Sequence, residues 1–223
     1  MRELAFRDRT DAGNVLADEL ARVLVHPCVV LGIPRGGLMV AFTVAERFRA
    51  PLAPAFARKV TLPSQPELAV GALDEDGHLL VDHETLTALG AGPDDLADAR
   101  RAAALELARE RERYEAPRLT PWFGQRTVVI VDDGLATGLT MRAAVAWARR
   151  HDAREVVVAV PVASLDAAAR LEREADRIVC PWVDETFGAV GGYFRDFAPV
   201  TDEQVLEALE RARGWAPALP ARG

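Results

Sequence analysis

Lysine is almost missing from this chain: of its 27 basic side chains, 26 are arginine and one is Lys59. A phosphate-binding P-loop of the GxxxxGK[ST] type needs a lysine behind a glycine. Here the lysine follows Arg58, which excludes that motif. A receiver domain, which also ends a strand in acidic residues, needs a lysine further along, and none follows position 59. Serine is as scarce, with Ser64 and Ser164 alone and neither in a GxSxG elbow, so a nucleophile-elbow hydrolase is excluded too. A dinucleotide fingerprint is absent, since "GAGPDD" at 90 to 95 breaks after its second glycine. Cys28 and Cys180 sit in the apolar runs "CVVLGI" and "RIVCPWV", where they read as small buried hydrophobes and not as a disulfide framework. The four histidines, His26, His78, His83 and His151, are scattered without zinc-ligand spacing. No run of 18 apolar residues occurs and "MRELAFRDRTD" carries no apolar signal segment, so a soluble cytoplasmic protein with no membrane partner is expected. The net charge of -7 argues against a nucleic-acid partner, because duplex binders present a basic face to the phosphates.

Half of the 223 residues are hydrophobic, enough for one sizeable core with a smaller appendage. Short β-branched runs mark strands at 28 to 33, 52 to 60, 127 to 133, 155 to 161 and 176 to 182. Amphipathic segments near 10 to 24, 36 to 49, 94 to 115, 139 to 151 and 165 to 174 alternate with them. In the long segment at 94 to 115, Leu96, Ala103, Leu107 and Tyr114 turn inward and the Arg/Glu mixture faces solvent. Strands that do not alternate apolar with polar are buried on both faces, and helices between them act as crossovers. The expected fold class is therefore α/β, an open, mostly parallel sheet flanked by helices.

The segment "VVIVDDGLATGLT" (128 to 140) runs from a buried strand into Asp132 and Asp133, then into a turn with almost no side chains before a helix near Leu139. In open α/β sheets, ligands bind at the carboxyl ends of the strands, where the connections diverge. Small residues admit a ligand to the backbone, and the first NH groups of a helix have no partners inside it. Gly134, Ala136, Thr137, Gly138 and Thr140 thus read as a phosphate cradle. The two carboxylates beside it suit sugar hydroxyls or a magnesium ion.

This segment resembles the phosphoribosyl pyrophosphate signature of the type I phosphoribosyltransferases, and the chain is similar to a bacterial group of predicted phosphoribosyltransferases of unassigned substrate. The resemblance implies a Mg-dependent enzyme that moves ribose 5-phosphate from phosphoribosyl pyrophosphate to a nitrogen base and releases diphosphate. On that reading Asp132, Asp133, Gly134, Ala136, Thr137, Gly138, Leu139 and Thr140 bind phosphoribosyl pyrophosphate, and Asp132 and Asp133 meet the metal directly or through water. "LGIPRGG" (31 to 37) resembles the pyrophosphate loop through Arg35, Gly36 and Gly37, with a non-proline cis peptide expected from Arg35 to Gly36. "ARKVTLPSQPELAVGALDEDG" (57 to 77) resembles the mobile catalytic loop, with Lys59 and Arg58 on the diphosphate and Asp133 completing the catalytic set. The segment "CPWVDETFGAVGGYFRDF" (180 to 197) takes the place of the hood over the acceptor, with Trp182, Phe187, Tyr193 and Phe194 as stacking candidates. The implied division is a core at 1–180 with its mobile loop near 58–77, a hood at 181–200, a helix at 201–213 and a disordered tail at 214–223. Ala136 stands where 6-oxopurine enzymes carry an aspartate near the purine N7, which argues against a 6-oxopurine acceptor. The reading admits a homodimer. Its alternative is a regulatory protein on the same fold that senses phosphoribosyl pyrophosphate without turning it over.

Overall fold

A computed structural model describes residues 5–25, 27–115 and 119–215. Five strands form one parallel sheet in the order β2-β1-β6-β7-β9: β1 (Cys28–Gly32), β2 (Leu52–Pro54), β6 (Thr127–Val131), β7 (Glu155–Ala159) and β9 (Arg177–Val179). Strands β1, β2, β6 and β7 are buried on both faces, and this explains why β1, β6 and β7 read as apolar runs; the edge strand β9 is more open, with Arg177 exposed. Val30, Val129, Val131 and Val157 face one cluster, and Val29, Leu31, Ile130 and Val158 face the other. The first cluster takes in helices α1 (Arg9–Val23), α2 (Gly36–Phe48), α4 (Pro93–Tyr114) and α7 (Asp202–Ala212). The second takes in α5 (Leu139–Arg150) and α6 (Leu165–Leu171). Each fully buried valine, leucine or isoleucine contributes roughly 1.5–3 kcal/mol, so these two layers dominate the stability.

β1 leads into α2 on one face, and its neighbour β6 leads into α5 on the other. The crevice past their ends is therefore the point where the connections diverge. Register fixes what lies there. Gly32 pairs with Val131, so Ile33 and Pro34 face Asp132 and Asp133, and the Ile33 NH donates to the Val131 carbonyl at 2.9 Å.

Residues 58–77, expected as an open loop, are instead mostly strand. β3 (Arg58–Leu62) and β4 (Gln65–Leu73) form an antiparallel hairpin, extended by β5 (Leu79–Val81). Val60, Leu62, Val70 and Leu73 are buried in the core, and that burial anchors the base of the hairpin while Gln65 to Leu68 stay exposed. The short helix α3 (His83–Ala88) follows it. The strands expected at 52 to 60 and at 176 to 182 each break in two, the second giving β9 and β10 (Trp182–Asp184). β10 pairs in parallel with β8 (Val162–Ser164) and opens a small lobe in the segment expected as the hood.

In this lobe, Phe6, Ala12, Val162, Tyr193 and Phe194 make a separate apolar cluster, so Phe6 and the start of α1 are part of it. Gly134 lies beneath this lobe: a Cβ there would stand 2.6 Å from Val190 Cγ1, so close packing accounts for that glycine. The tail expected from residue 214 begins inside a 3-10 turn, Arg213–Trp215, in which Trp215 packs on Phe42 at 5.5 Å between ring centroids. Residues 216–223 lie outside the described residues, as does His26. No helix among the described residues is long and apolar enough to cross a membrane.

Candidate functional site

Pro34, Gly36, Arg58, Lys59, Thr61, Glu110, Asp132, Asp133 and Thr140 line one cleft at the carboxyl end of the sheet. Four separate segments contribute to it: the end of β1, the root of the hairpin, α4, and the acidic pair with the start of α5.

Two helices begin at this cleft, α2 at Arg35 and α5 at Gly138, and neither start carries a side-chain cap. Elsewhere the chain closes its helix starts itself. Asp8 caps α1, Asp82 caps α3, Ser164 caps α6, Thr201 caps α7, and Asp95 accepts from the Gly92 NH at the head of α4. Uncapped starts leave NH groups and the positive end of the helix dipole available to an anion. Gly138 has φ of +74°, a conformation that a side chain would strain, and the turn before it exposes Ala136 and Thr137. The Ala136 carbonyl accepts from the Ser164 hydroxyl at 2.8 Å, which ties the turn to the hood strand β8.

The acidic pair forms the floor. The Asp133 NH donates to Asp132 Oδ1 at 2.8 Å, and Arg9 Nε donates to Asp133 Oδ2 at 2.9 Å. Burial pushes the Asp132 carboxyl well above the usual carboxylate range and the adjacent Asp133 charge pushes it further, with Lys59 opposing. Burial also raises Asp133, offset by the Arg9 hydrogen bond and charge. A desolvated carboxylate pair with one directly paired arginine favours a further proton or cation, and its oxygen donors match a hard ion such as Mg2+.

Gly36 and Gly37 touch this floor. A Cβ on Gly37 would stand 2.6 Å from Asp132 Oδ1, and one on Gly36 would meet Asp133 still more closely. The non-proline cis peptide lies between Pro34 and Arg35, one bond earlier than expected. Arg35 already has helical backbone angles and α2 begins at Gly36, so the next peptide belongs to a helical turn, which is built of trans units.

The cleft thus unites Lys59, Arg58, Gly36, Asp132, Asp133 and Thr140. Arg35, exposed, stands at the start of α2 and pairs loosely with Asp202 at 3.8 Å. Tyr193 and Phe194 are buried in the hood, where the Tyr193 hydroxyl donates to Asp184 Oδ2 at 2.6 Å and Phe194 packs on Phe6 at 5.4 Å. Phe187 stacks on Tyr193 at 5.3 Å, and Trp182 is 43% exposed. Arg9 and Glu110 were not foreseen. Nothing distinguishes Arg9 among 26 arginines, and its partner lies 124 positions away.

Outside the cleft, Asp74, Asp76 and His78 form a close group of metal-competent side chains. Asp74 accepts from the NH groups of Asp76 and His78, each at 3.0 Å, and pairs with Arg150, while Asp76 meets His151 at 2.9 Å. These bonds account for the group as the tie of a tight turn. Burial pushes both cysteine thiols up to about 11, which disfavours the thiolate near neutral pH.

A family model described as a phosphoribosyl transferase domain matches residues 20–196. Two proteins of Mycobacterium tuberculosis, from strains CDC 1551 / Oshkosh and H37Rv, bear names that designate them provisionally as phosphoribosyl transferases. Each is 43% identical over 209 residues, which cover 93% of this chain and 47% of the relative. The chain therefore spans about half the length of these relatives. The crystal structure of TT1426 from Thermus thermophilus is 41% identical, with a TM-score of 0.77, and the match covers 97% of this chain and 100% of that one.

Proposed function

Because the chain belongs to the phosphoribosyl transferase domain family, we propose that it is a Mg-dependent enzyme transferring ribose 5-phosphate from phosphoribosyl pyrophosphate to a nitrogen base. The observation that carries this reading is the desolvated Asp132–Asp133 pair in one cleft with two uncapped helix starts, Lys59 and Arg58. Negative floor and positive rims fit a ligand with hydroxyls at its centre and phosphates at both ends.

In this mechanism the acidic pair accepts hydrogen bonds from the ribose hydroxyls. The NH groups at 136 to 140, with the Thr137 and Thr140 hydroxyls, hold the 5-phosphate at the start of α5, and those at Gly36 and Gly37 face the diphosphate. Asp132 and Asp133 are the residues that would hold Mg2+, directly or through water; when bound, it neutralises charge on the diphosphate. The bond from C1 of the ribose to the diphosphate oxygen breaks and its electron pair leaves with the diphosphate, while a base nitrogen forms the new bond to C1 from the opposite face. Lys59 and Arg58 stabilise the charge that grows on the leaving group, and positioning supplies much of the rest. The exposed Trp182 and the partly covered Phe187 are the hood aromatics best placed to meet the acceptor, since Tyr193 and Phe194 are used within the lobe.

A sensor without turnover would need the cradle and not a lysine at the root of a hairpin beside it, so Lys59 favours the enzyme. Two measurements test the proposal. Phosphoribosyl pyrophosphate with Mg2+, at about 100 times its dissociation constant, should stabilise the fold by roughly 2.7 kcal/mol. Diphosphate release should appear with at least one member of a panel of nitrogen bases. Failure of the first on folded protein removes the ligand; failure of the second alone leaves the sensor.

A further inference from the structure

Arg58 stands at the root of the hairpin between two glutamates of α4, with Nη2 at 3.8 Å from Glu106 Oε2 and Nη1 at 4.0 Å from Glu110 Oε2. The two acids are not equivalent. Glu106 is 46% exposed and has a close partner in Arg109 at 2.5 Å. Glu110 is 17% exposed, makes the longer of the two contacts to Arg58, and lines the cleft together with Lys59, Asp132 and Asp133. Burial pushes its carboxyl up. The charges of Arg58, and at longer range Arg113 and Arg35, oppose this, and Asp202 reinforces it. A cleft that is to receive a diphosphate therefore has a third carboxylate in its wall, next to the arginine that would grip the anion.

We propose that Glu110 is a positioning residue that competes with the diphosphate for Arg58, holding the guanidinium in the free protein and ceding it when the anion arrives. This rests on the function proposed above. A pair at 4.0 Å is weak, whereas a guanidinium and a phosphate form two parallel hydrogen bonds near 2.8 Å, so the exchange runs toward the anion. Its energetic consequence is a lowered affinity for diphosphate, because Arg58 must first leave a carboxylate. That favours release of the leaving group once the bond to C1 has broken.

Isothermal titration with Mg2+ and inorganic pyrophosphate, on wild type, Glu110→Gln, Arg58→Met and the double variant, tests this. Thermal denaturation shows that each is folded. Glu110→Gln should bind pyrophosphate about fivefold more tightly, the size expected from freeing one weakly paired charge. Arg58→Met should bind it more weakly, and adding Glu110→Gln to Arg58→Met should change affinity less than about twofold, since the competed group is gone. Unchanged or weaker binding by Glu110→Gln overturns the proposal. So does an equal gain in the Arg58→Met background, which would mean simple repulsion, or an equal gain from Glu106→Gln. If wild type binds neither pyrophosphate nor phosphoribosyl pyrophosphate, the proposed function itself fails and takes this role with it.

Discussion

Gly36 and Asp133 approach so closely that no side chain fits between them: a Cβ on Gly36 would overlap Asp133 Oδ2 and lie 2.9 Å from Arg9 Nε. Asp133 cannot turn aside without giving up Arg9. The Gly36→Ala variant should therefore fold but hold its acidic pair wrongly, with Mg-dependent affinity for phosphoribosyl pyrophosphate down by roughly tenfold or more, the loss of one charge-assisted hydrogen bond. Gly37→Ala meets main chain as well as the Asp132 carboxylate, at 2.7 Å from Asp132 Cα and 3.0 Å from the Val131 carbonyl oxygen. It should cost about 1–3 kcal/mol of stability as overpacking, read from a denaturant midpoint. Wild-type ligand titrations and midpoints for both would mean that these approaches are not tight.

Arg9 ties the acidic pair to the hood. Besides Asp133 it donates to the Ala198 carbonyl at 2.9 Å and lies 3.9 Å from the Phe197 ring centre. Arg9→Met should cost about 1.5–3 kcal/mol in urea unfolding, because a desolvated carboxylate loses its charged partner. Adding Asp133→Asn should restore part of that. A double variant no more stable than Arg9→Met alone would show that the Asp133 charge is not what Arg9 compensates.

Lys59 separates enzyme from sensor. Negative charge grows on the leaving oxygen as its bond to C1 breaks, so Lys59→Met should reduce turnover by on the order of 100-fold while changing ligand affinity far less. Lys59→Arg should rescue only in part, since a planar fork does not place its charge where an ammonium does. Steady-state kinetics set beside direct binding would reveal this split, and equal small effects on both would reduce Lys59 to a surface charge.

The Tyr114 hydroxyl donates to Asp202 Oδ1 at 2.6 Å and joins the end of α4 to the start of α7. That bond lowers the Asp202 pKa, against desolvation and with help from Arg113. Burial raises the Tyr114 phenol, and Asp202 raises it further. An acid with a lowered folded pKa contributes stability above its unfolded value near pH 4, and this is lost as pH falls through the folded value. A phenol with a raised folded pKa contributes below about pH 10 and loses it as pH rises. Asp202→Asn should flatten the fall in urea midpoint at both edges. Parallel wild-type and variant profiles at acid and alkaline pH would refute the linkage.

How much of this was legible in the chain depends on how local the cause is. The runs at 28 to 33, 127 to 131 and 155 to 159 announce a parallel sheet, because strands covered on both faces must be apolar throughout. The hairpin at 58 to 73 was not legible. Its buried half, Val60, Leu62, Val70 and Leu73, is spread over two strands whose pairing is non-local, and its tip is as polar as any loop.

The cleft divides in the same way. An acidic pair at a strand end followed by glycine, alanine and threonine is a contiguous pattern, and it announces two carboxylates before a helix start; that no side chain caps that start came from the structure. Tertiary packing alone decided that Arg9 compensates Asp133, that Glu110 stands beside Arg58, and that Tyr193 and Phe194 face into the hood. These contacts join segments far apart in the chain, and no spacing encodes which arginine or aromatic the fold will bring to them. The α/β class and the acidic strand end follow from short-range periodicity. The choice of partners follows from how two helix layers and a hood close around the sheet.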